Sequence, residues 1–415
     1  LRVFSGGNPL QDTLNIFNKS SQEVETMVVF VGRKPSHYFA STHLGGYDVY
    51  GNDGTLIKTV SKQLEVSKLK PISPDSALAR STPVAIFEGD YSENVDSVAY
   101  IGPHQDSAFY GWFTASDNRP YFYGKTTTLL GEEAIGNAGH SAIVSTLASD
   151  GFTKRLLPMA VTSLQSDDFL KVLNRIDQPK IAANISFAFT FTPEICRKSA
   201  LAHTIQLSQG RVLWTIGAGN SGSEIDQHSL PFCPQALEEK NLLIVAATNG
   251  NQSLSRASSF GENYADIAAN GCGLLSQSCN DGATSFASPR VARIAADLIE
   301  KFPTLSIEQI KLALISTVQV PDTGFRHLPK YLNVKSGGVI DPVAAQNFIS
   351  LLLETPSFDL QNLDFNSISA QQVNTLKFVL KKSRQHQFKN FTPQQADTFL
   401  NDHINRLLNK YGSHQ

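Results

Sequence analysis

From Pro83 onward the chain alternates short apolar runs with segments whose apolar residues recur at helical spacing. The runs Val84–Phe87, Leu157–Val161, Ile181–Phe187, Arg211–Ile216, Leu242–Ala247 and Ala265–Ala269 have the length and β-branched content of buried strands. Between them, Asp167–Asp177 gathers Phe169, Leu170, Val172, Leu173 and Ile176 on one helical side, and Pro193–Gln209 and Ser288–Lys301 behave alike. Strands buried on both faces and separated by helices predict an α/β fold, a parallel sheet between two layers of helices.

The two ends of the chain read differently. Residues 1–80 hold one strand-like run, Thr26–Val31, and a turn-rich stretch around Gly45, Gly46, Gly51 and Asp53-Gly54. They are an N-terminal extension: a pro-region, an accessory segment or extra strands. Residues 81–353 form the main domain. Residues 354–415 are polar and carry two amphipathic helical patterns, Ser369–Lys382 and Pro393–Tyr411, the second opened by Thr392-Pro393. They predict a small helical appendage that packs on the main domain, with contact to a partner as the alternative.

Composition narrows the function classes. The chain has 415 residues, 41% hydrophobic and 17% charged, enough for a large self-sufficient core. A net charge of −2 gives no sign of the basic surface that nucleic acid or an anionic membrane calls for. No apolar run reaches the ~18–20 residues of a membrane span, and no charged-then-apolar leader follows Leu1; a leader removed beforehand and a chain made without one read the same. The four cysteines, Cys196, Cys233, Cys272 and Cys279, include no CxxC pair, which argues against zinc. They are buried thiols or one or two disulfides; the short GCGLLSQSCN loop makes a Cys272–Cys279 bridge easy to close.

The strongest chemical signal is Gly282-Ala283-Thr284-Ser285-Phe286-Ala287-Ser288-Pro289-Arg290-Val291-Ala292. A glycine-containing turn delivers a serine to the start of an apolar helix, and a proline near the first turn is expected to cost that helix little. Such a serine lies among unpaired backbone N–H groups, a setting that favours a developing alkoxide or oxyanion. By itself it reads equally as a helix N-cap. The segment, however, resembles the nucleophile motif of the subtilisin-like serine proteases, Gly-Thr-Ser-x-Ala-Ser-Pro-x-Val-Ala, with Ala283 between Gly282 and Thr284 as an inserted residue or the mark of a shifted glycine.

The resemblance continues in order over roughly residues 83–353. Ala138-Gly139-His140-Ser141-Ala142-Ile143-Val144-Ser145 resembles the family's histidine helix. Ala183-Asn184-Ile185-Ser186-Phe187-Ala188 resembles the strand that pairs with substrate backbone, and Ile216-Gly217-Ala218-Gly219-Asn220-Ser221-Gly222 the loop of the oxyanion asparagine. Ser258-Ser259-Phe260-Gly261, Ala265-Asp266-Ile267-Ala268-Ala269-Asn270-Gly271 and Ser336-Gly337-Gly338-Val339-Ile340-Asp341 resemble later family segments. The resemblance implies a subtilisin-like three-layer fold and a serine endopeptidase. In it Ser285 is the nucleophile, His140 the general base, and Asn220 with the Ser285 N–H the oxyanion donors. The chain order acid, histidine, serine is the subtilisin order.

The acid is open between two residues. After the strand Val84-Ala85-Ile86-Phe87, strict register selects Glu88, whereas residue type selects Asp90 two positions on. Either carboxylate can hold a histidine tautomer, and register favours Glu88. The expected walls of the first substrate pocket are Ser186, Phe187 and Ala188 on one side and Gly217, Ala218 and Gly219 on the other, an open slot suited to an apolar side chain. Structural calcium is common in the family, but no acidic loop here has a calcium-binding spacing, so no cofactor or metal is expected. The partner implied is a protein or peptide substrate, and the location secreted or periplasmic. A catalytically impaired binding module of the same fold is the alternative function.

Overall fold

The computed structural model describes residues 82–88, 140, 144–145, 147–148, 156–160, 178–190, 192–225, 232–250, 252–272, 279, 281–321, 331–355, 368–389 and 391–411. It also describes the backbone of strands at 2–4, 13–15, 26–31, 34–41, 47–50, 56–60, 70–72, 111–114 and 120–123. The Asp167–Asp177 helix pattern and Asp90 lie outside the described residues.

Six strands form the central sheet: β1 (Val84–Glu88), β2 (Leu156–Ala160), β3 (Ile181–Ile185), β4 (Val212–Gly217), β5 (Leu242–Thr248) and β6 (Ile267–Asn270). Their order is β2-β1-β3-β4-β5-β6, and every neighbouring pair is parallel. The six apolar runs of the sequence become these strands, with ends moved by up to two residues. Because side chains alternate along a strand, the runs of β1 and of β3 to β6 feed both faces. Val84, Ile86, Ala182, Leu213, Leu243, Val245, Ala247, Ile267 and Ala269 enter one core, and Ala85, Phe87, Ile181, Ala183, Ile185, Val212, Trp214, Ile216, Ile244, Ala246 and Ala268 the other.

Helices cover both faces. The second core is closed by α1 (Pro193–Arg197) and α2 (Ala200–Leu207). The expected single helix over Pro193–Gln209 is two, because Ser199 stops the first and caps the second, its side chain accepting from the Ala202 N–H. The first core is closed by α3 (Thr284–Lys301), α4 (Ile307–Ser316) and α5 (Pro342–Leu353). Two disulfides form, Cys196–Cys233 and Cys272–Cys279. On the chain-entropy model their spans of 37 and 7 residues are worth about 4 and about 2.4 kcal/mol.

The C-terminal patterns become α6 (Ala370–Ser383) and α7 (Pro393–Tyr411), each opened by a reciprocal capping pair, Ser369 with Gln372 and Thr392 with Gln395. Their apolar faces are buried in the main domain: Leu376, Val379, Leu380, Phe399, Leu400, Ile404 and Leu407 join the core that contains α3 to α5. Buried polar groups tie them there as well. Arg384 donates to the Val318 carbonyl, His403 to the Ser316 carbonyl, and Arg406 to the Val334 and Lys335 carbonyls. In the N-terminal region, strands 26–31, 34–41, 47–50 and 56–60 form an antiparallel sheet in chain order, and strand 70–72 pairs with 111–114.

If the C-terminal helices are part of the main core, Leu400→Ala should cost about 2–5 kcal/mol of unfolding free energy. Denaturant unfolding of the whole chain should show that loss in the transition that reports on the central sheet. A separate early transition with the sheet's midpoint unmoved would contradict it.

Candidate active site

In open parallel α/β sheets, functional groups collect beyond the carboxyl ends of the strands, where the strand order reverses. Here the reversal is at β1, which lies between β2 and β3. Glu88 is the last residue of β1 and shares the α3-facing parity of Val84 and Ile86. Its side chain is 3% exposed, and Oε2 lies 3.0 Å from Nδ1 of His140. Oε1 is buried without a hydrogen-bond partner among the described residues.

The contact fixes the imidazole. When Nδ1–H donates to Glu88, Nε2 is left as the bare, proton-accepting nitrogen. Burial acts to lower the His140 pKa, but the hydrogen bond and the charge of Glu88 act against it, and the net position is above the ordinary 6.5. The other face of the site is the start of α3: the Phe286 ring, next to Ser285, stands 5.8 Å from the His140 ring.

Ser285 is the second residue of α3, almost fully buried. The inserted Ala283 is the residue before the helix, in extended conformation, so Thr284 and Ser285 keep the first two helical positions. Gly282 has to be glycine: a Cβ there would come within 2.5 Å of the Thr248 carbonyl oxygen. The helix begins four residues before the expected Ser288, which changes the meaning of Pro289. It is the sixth helical residue, not a first-turn one, and the N–H it lacks would have bonded to the Ser285 carbonyl. Ser186 fills that gap, its Oγ donating to the Ser285 carbonyl at 3.0 Å. Asn184 in turn donates to Ser186 at 2.9 Å, and Thr215 donates to the Ser288 carbonyl at 3.1 Å. The strand β3 extension and the nucleophile helix are therefore stitched together beneath the serine.

Asn220 lies exposed in the loop after β4. Its Oδ1 accepts from both the N–H and the hydroxyl of Thr284, at 2.9 and 3.1 Å. With its carbonyl end engaged by the turn at Thr284, its amide end is the group left to donate. Thr284 Oγ1 also accepts from the Gly219 N–H at 3.1 Å, and Gly217 packs against Thr284 so closely that a Cβ would meet its Oγ1 at 3.1 Å. The Ser285 N–H belongs to the first helical turn, whose amides have no intrahelical acceptor. Sequence reasoning treated Thr284 only as part of a motif; its clamp on Asn220 had no separate signal.

The expected pocket walls follow β3 and β4 directly. Ser186, Phe187 and Ala188 extend β3, and Gly217, Ala218 and Gly219 run off the end of β4. They border the serine from two sides, through Ser186 on Ser285 and Gly217 on Thr284. Among the described residues no three His, Cys, Asp or Glu side chains cluster to hold a metal ion.

The His140 titration is directly testable. In the intact chain its imidazole should titrate above 6.5 by NMR. Glu88→Gln removes the charge and leaves at most a neutral hydrogen bond against the effect of burial, so the value should fall. An unchanged His140 titration in that variant would show that Glu88 does not govern it.

Comparison with known proteins places this geometry. The model of the subtilase family matches residues 161–339. Subtilisin DY of Bacillus licheniformis is 30% identical over 124 residues, which are 29% of this chain and 44% of that protein, so the match spans less than half of the relative's length. Among solved structures, a lanthipeptide protease shares 15% identity at a TM-score of 0.44, covering 64% of this chain and 87% of its own. The prenylagaramide maturation protease PagA shares 20% at 0.43, covering 64% and 92%. A cold-adapted subtilisin-like serine proteinase shares 16% at 0.40, covering 66% and 93%. Over residues 161–339, which hold β3 to β6 and the turn at Ser285, this chain is similar to the subtilase family.

Proposed function

We propose that the chain is a serine endopeptidase in which Ser285, His140 and Glu88 form the triad and Asn220 the oxyanion donor. The observation that carries this reading is the 3.0 Å contact of Glu88 with His140 Nδ1, at the strand end where the family places its acid. It makes His140 Nε2 the base for the Ser285 hydroxyl. Attack of Oγ on a peptide carbonyl transfers the hydroxyl proton to Nε2, and the charge that appears on the imidazole is offset by Glu88. The carbonyl oxygen, now an oxyanion, is received by the Asn220 amide and the Ser285 N–H, both already fixed before reaction. His140 then protonates the leaving amine, and water repeats the sequence on the acyl-enzyme. The substrate is a protein or peptide bound along the β3 extension. Two disulfides support a secreted or periplasmic setting, since such bonds persist in oxidising compartments. Among the described residues no helix is long and apolar enough to cross a membrane.

A fluorophosphonate probe tests the reading. The wild-type chain should form a covalent adduct at Ser285, and Ser285→Ala should neither label nor cut a peptide library while keeping its unfolding midpoint. A folded wild-type chain that neither labels nor cuts would identify a binding module instead. Glu88→Gln should lower turnover steeply, on the scale of ~10⁴ known for amide replacement of a triad acid. A loss of less than tenfold would remove Glu88 from the triad.

A further inference from the structure

Gln235 is 2% exposed, yet no step of the proposed chemistry uses it. Its Nε2 donates to two carbonyl oxygens at once, that of Phe187 at 3.2 Å and that of Gly217 at 2.9 Å. Those two residues belong to the opposite walls of the first substrate pocket. The same contacts settle which end of the amide is which, since the reverse orientation would set Oε1 against two carbonyl oxygens. Oε1 is therefore the free end, and it is buried with no hydrogen-bond partner among the described residues. A buried acceptor left unpaired is destabilising, and a donor arriving with a ligand relieves it.

The surroundings make Gln235 a rigid mount. Cys233, two residues earlier, is bonded to Cys196, and residues 232–233 pair antiparallel with 189–190, directly after the Ser186–Ala188 wall. Cys233, Ala236 and Leu237 are core residues on the sheet face opposite α3. The amide is thus held from behind the walls, while the nucleophile helix contacts them from the other side through Ser186 and Thr284.

We propose that Gln235 is the specificity-determining residue of the first pocket: Nε2 sets the spacing of its two walls, and Oε1 receives a hydrogen-bond donor on the substrate side chain that enters between them. The substrate class is then a peptide whose residue before the cut bond carries an uncharged donor, such as a side-chain amide, in preference to a hydrocarbon of equal length. This differs from the apolar preference expected from the small wall residues, and it rests on the proteolytic reading above.

The test uses the full chain and a set of peptides that differ only in the residue before the cut bond, glutamine against methionine and asparagine against leucine. For the wild type, kcat/KM should favour the amide of each pair by about 3- to 10-fold, the worth of one neutral hydrogen bond. In Gln235→Met the preference should vanish or invert; because a ratio is read, a general loss of activity cancels. Equal rates for both members of each pair in the wild type, or a preference unchanged in Gln235→Met, would overturn this assignment while leaving proteolysis standing. A chain that labels with no fluorophosphonate and cuts none of the peptides would overturn both.

Discussion

Helix α3 lies across β3, β4, β5 and β6 with its N-terminus at their carboxyl edge, and that packing sets the position of every group at the site. Its buried stripe, Ala287, Val291, Ala292, Ala295, Ala296 and Ile299, is rich in alanine, which lets the helix axis approach the sheet closely. Close approach is what brings first-turn residues within reach of strand ends. Thr284 meets Gly217, and Ser285 meets Ser186. A Cβ at position 217 would require Thr284 to give way by a few tenths of an ångström, which would disturb its bonds to Asn220 and the seat of Ser285. The site is therefore a consequence of how the helix seats, with few degrees of freedom of its own.

Within that frame the acid is the most heavily constrained group. Glu88 lies at the end of a strand whose five residues are all buried, and a carboxylate in such a place is unfavourable without compensation. His140 supplies a hydrogen bond to Oε2 only. That one-sided satisfaction couples the two groups strongly: whatever displaces His140 leaves Glu88 buried and unpaired. The raised His140 pKa expresses the same coupling from the other partner, because the protonated imidazole is the form that best compensates the buried carboxylate.

Much of this was legible in the sequence because it depends on period and register. The strand runs were found because buried parallel strands are nearly continuous apolar segments, and Glu88 was favoured over Asp90 because it follows the strand without a break. What failed to show depends on hydrogen bonds made through the backbone. Ser199 splits a pattern whose apolar residues keep helical spacing on both sides of it, and nothing in that spacing marks the break. Pro289 looked like a first-turn proline until the helix start moved back to Thr284; only then does Ser186 acquire its partner, the carbonyl that Pro289 leaves open. The C-terminal helices read as polar because their buried faces are narrow, while Arg384 and His403, polar in sequence, are fully buried by bonding to main-chain carbonyls. Gln235 is a single polar residue after Cys233-Pro234, with no pattern around it to mark it.

The two faces of the sheet divide the labour, and strand parity is the reason. Residues of one parity on β1, β3 and β4 point at α3: Glu88, Asn184, Ser186, Thr215 and Gly217 all bond to, or pack against, the first turns of α3 and their neighbours. The opposite parity feeds the core beneath α1, α2 and the disulfide-clamped segment around Cys233. Bond-making groups thus sit on the first face, and the amide proposed to select side chains is mounted on the second. The two are joined through the main chain of Phe187 and Gly217. Such an arrangement lets the Gln235 segment change without moving Ser285, because the walls that it braces are held on their other side by Ser186 and Thr284. On the proposed reading, selectivity can then vary at the second face while the geometry around Ser285, fixed by the seating of α3, stays as it is.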